Sequence, residues 1–419
     1  MTANAQTSTQ AQTYWTITLV AAAMLMVTMG ARQSMGLFVS PLNTTTGLGI
    51  ASISLALAIG QFTWGVVQPI TGAIADKYGP GRVLAGGLIL LAIGSALTPY
   101  MTSEWGLIFS LGILSAIGSG ASSFSVLIGA AGQRVPAEKR GMASGIINAG
   151  GSFGQFVFAP IIQRLIGTLG WMGAMWSLAV MTLAALPLAF MLRKKPQPAT
   201  AGTTAAANSA AQPEQTLRAA LKQAMADPSY LLLHAGFFTC GFHIAFLVTH
   251  LPGEVQLCGL PAQVASWSLA IIGLANIVGS LAAGWGTQRF RSKYILFWMY
   301  ASRSVLIVLY LLAPKTELTF YLFAAGLGLT WLATVPPTAG VVGKLFGTRY
   351  LGTLFGLTLL SHQVGGFFGA WLGGIAITRQ GSYDWMWYAD IVLAAAAALC
   401  NLPIKEAPIV RAAPSLKPA

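Results

Sequence analysis

Twelve apolar segments, each long enough to cross a lipid bilayer as a helix, run along this chain. A bilayer core of about 30 Å requires roughly 20 consecutive apolar residues in an α-helix. The segments lie near residues 15–39, 51–74, 83–101, 105–131, 141–164, 170–192, 229–251, 264–284, 294–313, 318–341, 350–376 and 384–403. Because a helix satisfies its own backbone hydrogen bonds, which lipid cannot do, this pattern predicts an all-α membrane protein.

The composition agrees with lipid as the main solvent. Of the 419 residues, 55% are hydrophobic and only 8% are charged, whereas soluble domains carry about 25% charged residues. This composition excludes a soluble enzyme or a soluble nucleic-acid-binding domain, despite the net charge of +13. The three cysteines form an odd set, and two of them lie in apolar segments, so no disulfide framework is expected.

The basic residues indicate how the chain is oriented. If both termini are cytoplasmic, eighteen of the 23 Lys and Arg residues fall in cytoplasmic segments and three in outer ones. This bias follows the positive-inside rule and predicts a multi-pass protein of a cell membrane, of the bacterial inner-membrane type. A nucleic-acid-binding patch would not alternate with every second loop, so no nucleic-acid partner is expected.

The longest hydrophilic stretch divides the twelve spans into two sets of six. It is rich in Ala, Pro, Thr and Gln, a composition typical of a flexible linker. The predicted units are an N-terminal six-helix bundle at 1–192, a cytoplasmic linker at 193–228, a C-terminal six-helix bundle at 229–403 and a cytoplasmic tail at 404–419.

The two halves resemble copies of each other. Basic residues precede glycines four positions apart at the start of span 5, Gly141 and Gly145, and at the start of span 11, Gly352 and Gly356. Small residues at this spacing let two helices pack closely in lipid. Repeated halves are typical of alternating-access transporters, whose binding site lies between the halves.

A loop signature is present in both halves. The loop at 72–82, GAIADKYGPGR, resembles the G-x-x-x-D-[RK]-x-G-x-x-[RK] signature of the major facilitator superfamily, and the loop at 284–293, GWGTQRFRSK, resembles a degenerate copy without the acidic residue. The resemblance implies two pseudo-symmetric six-helix bundles, with spans 1, 4, 7 and 10 lining a central cavity and spans 3, 6, 9 and 12 facing lipid. It also implies that Asp76 and Arg82 form a gating latch, and we expect Arg140, at the entry to span 5, to act with them.

Two further stretches, GARQSMGLF at 30–38 and span 11, resemble bacterial members of the monocarboxylate transporter and oxalate:formate antiporter group. In the antiporters a lysine of span 11 is implicated in anion binding, and His362 stands at that position. The arginine that the group carries in span 8 is absent here, where Ser280 falls near it. The resemblance implies a small organic anion, such as a monocarboxylate, as the substrate.

Arg32 lies within span 1, where an ionisable side chain costs about 2.5–3.5 kcal/mol on insertion scales and needs a partner or a function. No acidic residue lies deep in any span of the first half, and a guanidinium matches a carboxylate in shape and charge. We therefore predict that Arg32 binds the anionic substrate; the alternative interpretation is a fixed ion pair with a neighbouring carboxylate. Four uncharged side chains complete the predicted substrate-binding wall: Gln33, Asn148, Gln155 and Trp331.

His362 and His243 lie near the middle of spans 11 and 7. Imidazole takes up a proton near physiological pH, so we predict that both residues contact the substrate and carry the coupling proton. The alternative is that each histidine only joins helices by hydrogen bonds. Cys240 and His250 share the helix of His243, but these side chains do not converge as metal ligands must. We expect no metal and no cofactor.

Arg303 and Asp390 lie in spans 9 and 12, which the resemblance places on the outside of the bundle. Their depths differ by about four residues, or ~6 Å of helical rise. A long arginine side chain reaches that far, so we predict a structural ion pair between them.

Positive charge in the cavity helices without a deep carboxylate predicts a secondary transporter that moves a small organic anion, with protons or a counter-anion as the coupled ion. The alternative is a drug or metabolite exporter on the same fold; cation exporters typically need a membrane-embedded acid, for which Asp390 is the candidate. A sensor or a membrane enzyme is a third hypothesis, but the chain has no H-E-x-x-H, G-x-S-x-G or P-loop motif, so no enzyme is expected. The expected form is a monomer in the lipid bilayer.

Overall fold

The structure, a computed structural model, describes residues 2–132, 134–135, 140–193, 217–347 and 351–407. These ranges contain helices and turns but no strand. The first half contains α1 (Thr2–Gln33), α2 (Val39–Thr46), α3 (Ile50–Tyr78), α4 (Pro80–Leu97), α5 (Glu104–Leu107), α6 (Ala116–Ala121), α7 (Phe124–Gly132), α8 (Arg140–Ala184) and α9 (Leu186–Met191). The rest contains α10 (Leu217–Met225), α11 (Pro228–Leu257), α12 (Ala262–Arg289), α13 (Ser292–Leu312), α14 (Glu317–Thr330), α15 (Val335–Phe346), α16 (Leu351–Gln380) and α17 (Asp384–Asn401).

These helices make twelve crossings. Nine segments of the described chain are long and apolar enough to span a membrane. One of them, at 145–191, contains two crossings, because α8 turns at Gly170, whose φ of 72° is a left-handed conformation that suits glycine. α16 and α17 pack into the second half as two more. The predicted all-α fold of twelve transmembrane helices is confirmed.

The predicted linker at 193–228 contains a helix, α10, in its last third. Residues 194–216 lie outside the described part of the chain. Asp227 separates α10 from α11, and its carboxylate accepts a hydrogen bond of 3.0 Å from the backbone N–H of Tyr230. This cap fixes the start of span 7. The proposed unit boundaries stay a prediction.

Two spans are broken near their middle. Span 1 leaves α-helical geometry directly after Arg32: α1 ends at Gln33, and a 3₁₀ turn at Met35–Phe38 leads into α2. Span 10 is broken at residues 331–334, between α14 and α15, and Pro336 and Pro337 in the first turn of α15 cannot donate hydrogen bonds back to the break. A broken helix at membrane depth leaves backbone groups that need other partners, and transporters build sites at such breaks.

The halves meet along two seams. Within the halves, α1 packs against α8 and α11 against α16; between them, α3 packs against α16 and α8 against α12. The first seam is tight at Gly65, where an added Cβ would overlap the side chain of Gln363. The second seam is tight at Gly273, which lies against the backbone of Ser152 and Phe156.

The two ends of the bundle differ. At the end remote from the linker, the 3₁₀ turn at Met35–Phe38 approaches α11 so closely that a Cβ on Gly36 would overlap the backbone carbonyl of Val248. At the linker end, an added Cβ on Gly145, Gly284 or Gly356 would meet no described atom within 4 Å. The halves are therefore in close backbone contact at the remote end, which we call the closed end, whereas these three glycines of the linker end face no described atom.

Candidate functional site

Arg32 lines a cavity of about 60 Å³. Its walls come from spans 1, 2, 3, 4 and 6 of the first half, and Val248 and Thr249 of α11 cover it from the second half. The cavity therefore lies mainly within the first bundle, next to the break in span 1. It touches both halves at the closed, remote end of the molecule.

The guanidinium of Arg32 has two uncharged partners on α3. Its Nη2 donates to Oε1 of Gln61, and its central carbon lies 4.2 Å from the ring centroid of Trp64. An indole face attracts a cation but does not neutralise it. Among the described residues no carboxylate forms an ion pair with Arg32. The fixed ion pair, the alternative interpretation, is therefore not found in the described part, and N–H donors of the guanidinium stay available.

Three serines add hydroxyl groups to the cavity wall. Ser95 and Ser119 donate to backbone carbonyls of their own helices, at 2.9 and 3.2 Å. The hydroxyl of Ser115 is buried and has no partner among the described residues. Ser115 ends a π-helical stretch at Ile108–Ser115 in span 4, a distortion found frequently at functional sites. Ser115 therefore belongs to the cavity wall, with its hydroxyl packed against Gly94 of α4.

His243 lies in the core of the second half, not in this cavity. Its Nδ1 is 2.5 Å from Oδ2 of Asp390, and both side chains are fully buried. The structure does not form the predicted ion pair between Arg303 and Asp390, because Asp390 pairs with His243 instead. Sequence reasoning missed this pair, although two isolated ionisable residues in apolar segments of one half are a signal for it.

Arg303 is turned toward the break in span 10. Its Nη2 donates to the backbone carbonyl oxygens of Thr330 and Trp331, and its Nε donates to the Thr330 hydroxyl at 3.2 Å. Its Nη1 donates to Sγ of Cys240 at 3.3 Å. These carbonyls belong to the end of α14, where a helix lacks amide partners and favours a cation. The guanidinium is satisfied by this helix end, which explains why it does not reach Asp390.

His362 is buried on α16, beside the seam with α3. Nε2 of Gln363 donates to its Nδ1 at 3.1 Å, and its ring centroid lies 5.0 Å from that of Phe237. Its Nε2 has no partner among the described residues. The structure does not bring His362 or His243 into the lining of the Arg32 cavity. Their roles in substrate binding and proton coupling stay predictions.

The uncharged residues of the predicted wall are also spread over the seams. Nε2 of Gln33 donates to Oε1 of Gln155 at 3.5 Å, which joins span 1 to span 5. Asn148 is partly exposed, two turns before Gln155 on α8. Trp331 is fully buried at the break in span 10, with its ring centroid 5.9 Å from that of His243. Their contacts with a substrate stay predictions.

The predicted latch is described only in part. The side chains of Asp76 and Arg140 lie outside the described part of the structure. Arg82 is exposed in the first turn of α4. Gly79, with φ of 93°, makes the sharp turn from α3 into α4 that the loop signature needs. The gating role of these residues stays a prediction.

Comparisons with known proteins bear on the family and the substrate class. A family model described as Major Facilitator Superfamily matches residues 20–370 and, in a second match, 259–417. Monocarboxylate transporter 13 of Rattus norvegicus is 27% identical over 404 residues, which cover 93% of this chain and 89% of the rat protein. The oxalate:formate antiporter of Oxalobacter formigenes is 24% identical over 375 residues, covering 88% and 86%. The solved D-xylose-proton symporter superposes with a TM-score of 0.72 over 93% of this chain and 97% of that one, at 15% identity, which is a likeness in fold.

Proposed function

The chain belongs to the Major Facilitator Superfamily and is a transporter, and we propose that it moves a small organic anion across the membrane by alternating access. The simplest substrate is a monocarboxylate. Both termini face the cytoplasm of a bacterial inner membrane in this proposal, so the closed, remote end of the molecule faces outward. The anion moves with protons or in exchange for a second anion.

The guanidinium of Arg32 carries the proposal. It is a cation in a membrane-embedded cavity, and its partners among the described residues, Gln61 and Trp64, bear no charge. A bare cation in low dielectric is costly, and a carboxylate that enters the cavity removes that cost. Two parallel N–H···O bonds between a guanidinium and a carboxylate add orientation to charge.

The size of the cavity limits the anion. A volume of about 60 Å³ holds a few water molecules or a small carboxylate, because one water needs about 10–15 Å³ in the same measure. Val248 and Thr249 close the cavity from the second half. An anion at Arg32 therefore contacts both halves, which is the condition for binding to bias their movement.

The names of two relatives support the same substrate class. One is a monocarboxylate transporter and the other an oxalate:formate antiporter. The alternative, a drug or metabolite exporter, has less support from the geometry. A cation exporter would use the buried acid Asp390, but that carboxylate is paired with His243 and does not line the cavity of Arg32.

A thermal-shift screen with a transport assay tests the proposal. Purified protein is heated with monocarboxylates, dicarboxylates and lipophilic cations, and uptake of radiolabelled anions is measured in liposomes. An anion at 100 times its Kd stabilises the folded state by about 2.7 kcal/mol, which raises Tm by several degrees.

Variants of Arg32 identify the site. Arg32→Ala is expected to weaken anion binding about 100-fold and to abolish uptake, whereas Arg32→Lys retains charge and part of the affinity. Arg164→Ala, which removes an exposed arginine at the end of span 5, is the matched control and leaves both unchanged. Stabilisation by lipophilic cations alone, or anion uptake that persists in Arg32→Ala, would sink the proposal.

A further inference from the structure

His243 and Asp390 form a closed pair between two helices of the second half. α11 supplies the histidine and α17 the aspartate, and neither side chain is exposed. Nδ1 of His243 lies 2.5 Å from Oδ2 of Asp390. Two acceptor atoms at this separation require a proton between them, so one proton is already part of the pair.

Each member of the pair has a second polar atom that is unused. Nε2 of His243 and Oδ1 of Asp390 are buried and have no hydrogen-bond partner among the described residues. When Nδ1 carries the shared proton, Nε2 presents a lone pair, which is where a neutral imidazole accepts a further proton. A buried acceptor without a donor is costly, which favours a role that brings a proton to Nε2 over one that only joins two helices.

A fixed positive charge lies on the neighbouring helix. Arg303 on α13 contacts Cys240, which is one turn before His243 on α11. Arg303, His243 and Asp390 carry no net charge together when Arg303 is charged, Asp390 is ionised and His243 is uncharged. Proton uptake by His243 therefore gives these three residues one net positive charge.

Other titratable groups near the pair are few. Tyr300 on α13 and His362 on α16 lie beside the Cys240 thiol. Further along α11, His250 is bonded to the backbone carbonyl of Ala370, and Glu254 accepts from the hydroxyl of Tyr310 at 2.7 Å. Both have partners of their own. His234, near the start of α11, also has an unpartnered Nε2 among the described residues, but its Nδ1 is hydrogen-bonded to the Ser361 hydroxyl, so His243 is the described histidine of α11 with an unused acceptor beside a carboxylate.

The pair is also connected to a part of the fold that can bend. The ring of His243 faces Trp331, at the break in span 10, with 5.9 Å between ring centroids. Arg303 holds the carbonyl of the same Trp331 at 2.7 Å. A charge gained by His243 therefore acts directly on the segment that separates α14 from α15.

We propose that the His243–Asp390 pair takes up and releases the coupling proton, one for each anion carried, an inference that rests on the proposed function. The proton passes from a hydronium ion to Nε2 of His243, forming one N–H bond and leaving water, and it returns to water on the other side. One anion at Arg32 and one proton at His243 cross together without net charge. The geometry favours His243 over His362 for this role, because Nδ1 of His362 accepts from Gln363 and no described carboxylate pairs with it.

The test uses the purified full-length protein in liposomes, with radiolabelled formate, acetate, lactate and oxalate as probes. Two modes are compared: accumulation driven by an inward proton gradient, and exchange of labelled for unlabelled anion without a gradient. A gradient of one pH unit drives about tenfold accumulation when one proton moves with each anion. Exchange needs no net proton movement.

Asp390→Asn and His243→Gln are each expected to lose the gradient-driven accumulation while exchange continues. Removal of one partner leaves the other unpaired in the core, so the double variant His243→Gln/Asp390→Asn, which leaves no lone charge at the pair, covers the case in which a single variant fails to fold. Asp384→Asn is the matched control on the same helix. Its carboxylate is exposed and accepts from Ser382 at 3.0 Å, and both modes are expected to persist.

Gradient-driven accumulation at the wild-type level in the double variant would overturn the inference. So would a wild-type protein that exchanges anions but does not respond to the gradient, in which case the proposed function stands. A wild-type protein that transports none of the four anions refutes the proposed function, and the inference with it.

Discussion

The hydroxyl of Ser152 accepts a hydrogen bond of 2.9 Å from the side-chain amide of Asn276, and this bond crosses the seam between the two halves. The carbonyl oxygen of the same amide accepts from the backbone N–H of Leu332, at 3.0 Å, inside the break of span 10. One buried side chain therefore ties the seam to the broken helix. Movement of one half against the other must break the bond between Asn276 and Ser152.

Asn276→Ala is expected to lower Tm more than Ser152→Ala. The first change removes the bond across the seam and also leaves the N–H of Leu332 buried without an acceptor, at a cost of about 1–3 kcal/mol. The second removes the seam bond, worth about 1 kcal/mol, together with a long bond of 3.4 Å from the Ser152 hydroxyl to the backbone carbonyl of Asn148. Thermal unfolding of the purified variants measures the difference, and equal losses would show that the bond to the broken helix contributes nothing.

Arg303 is expected to be required for folding and Arg32 for transport. Arg303→Ala removes the guanidinium donors from the carbonyls of Thr330 and Trp331, and hydrogen bonds to a charged group contribute about 1.5–3 kcal/mol each. We expect little folded protein on size-exclusion chromatography of detergent extracts. Arg303→Lys keeps a donor for these carbonyls and recovers part of the yield.

Arg32→Ala serves as the comparison in that experiment, since it should fold normally and lose uptake. The two arginines are of the same type and lie in opposite halves of the bundle. If both alanine variants gave the same yield and the same uptake, the division between a structural and a substrate-binding arginine would be wrong.

Gly36→Ala is expected to stop closure of the remote end. The Cβ of the introduced alanine would overlap the carbonyl of Val248, so the state that is closed at the remote end becomes inaccessible. Uptake is expected to fall by about an order of magnitude, while the yield of folded protein is retained. Gly86→Ala, at a helical glycine with open space around it, is the matched control. A direct readout adds Thr249→Cys in the cavity wall together with Cys258→Ser, which removes the native thiol of the remote side. An impermeant thiol reagent applied to that side should label the introduced cysteine when Gly36→Ala is present and not when Gly36 is retained.

More of the fold than of the candidate site can be predicted from the sequence. Apolar length alone predicts twelve crossings, because a segment of about 20 apolar residues matches the length of a membrane-spanning helix and the helix satisfies its own backbone groups in lipid. Partners of buried charges depend on rotation about each helix axis, which hydropathy does not encode. Asp390 illustrates this. Its depth in the membrane predicts Arg303 as its partner, whereas the rotation of α11 places His243 beside it.

The degenerate second loop lacks an acidic residue, and Glu406 of the tail supplies one. The Glu406 carboxylate lies 2.6 Å from Nζ of Lys344 and 2.5 Å from the backbone nitrogen of Lys293. The spacing of residues within the loop could not predict this contact.

Cys258 provides a test of orientation. It follows directly after span 7, at the end of the molecule that faces outward in the proposed topology, while Cys240 is fully buried and Cys400 lies within α17. Burial, and then the nearby Glu254 carboxylate, raise the pKa of the Cys258 thiol above its usual value. The thiolate is the reactive form, so the labelling rate should be low at neutral pH. As the pH is raised toward that pKa, the rate should increase about tenfold for each pH unit.

A membrane-impermeant maleimide applied to intact spheroplasts should therefore label the protein slowly at neutral pH and faster at higher pH. It should not label the Cys258→Ser variant at all. Labelling that appears only after the membrane is permeabilised would reverse the proposed orientation, and with it the assignment of the closed end to the outside.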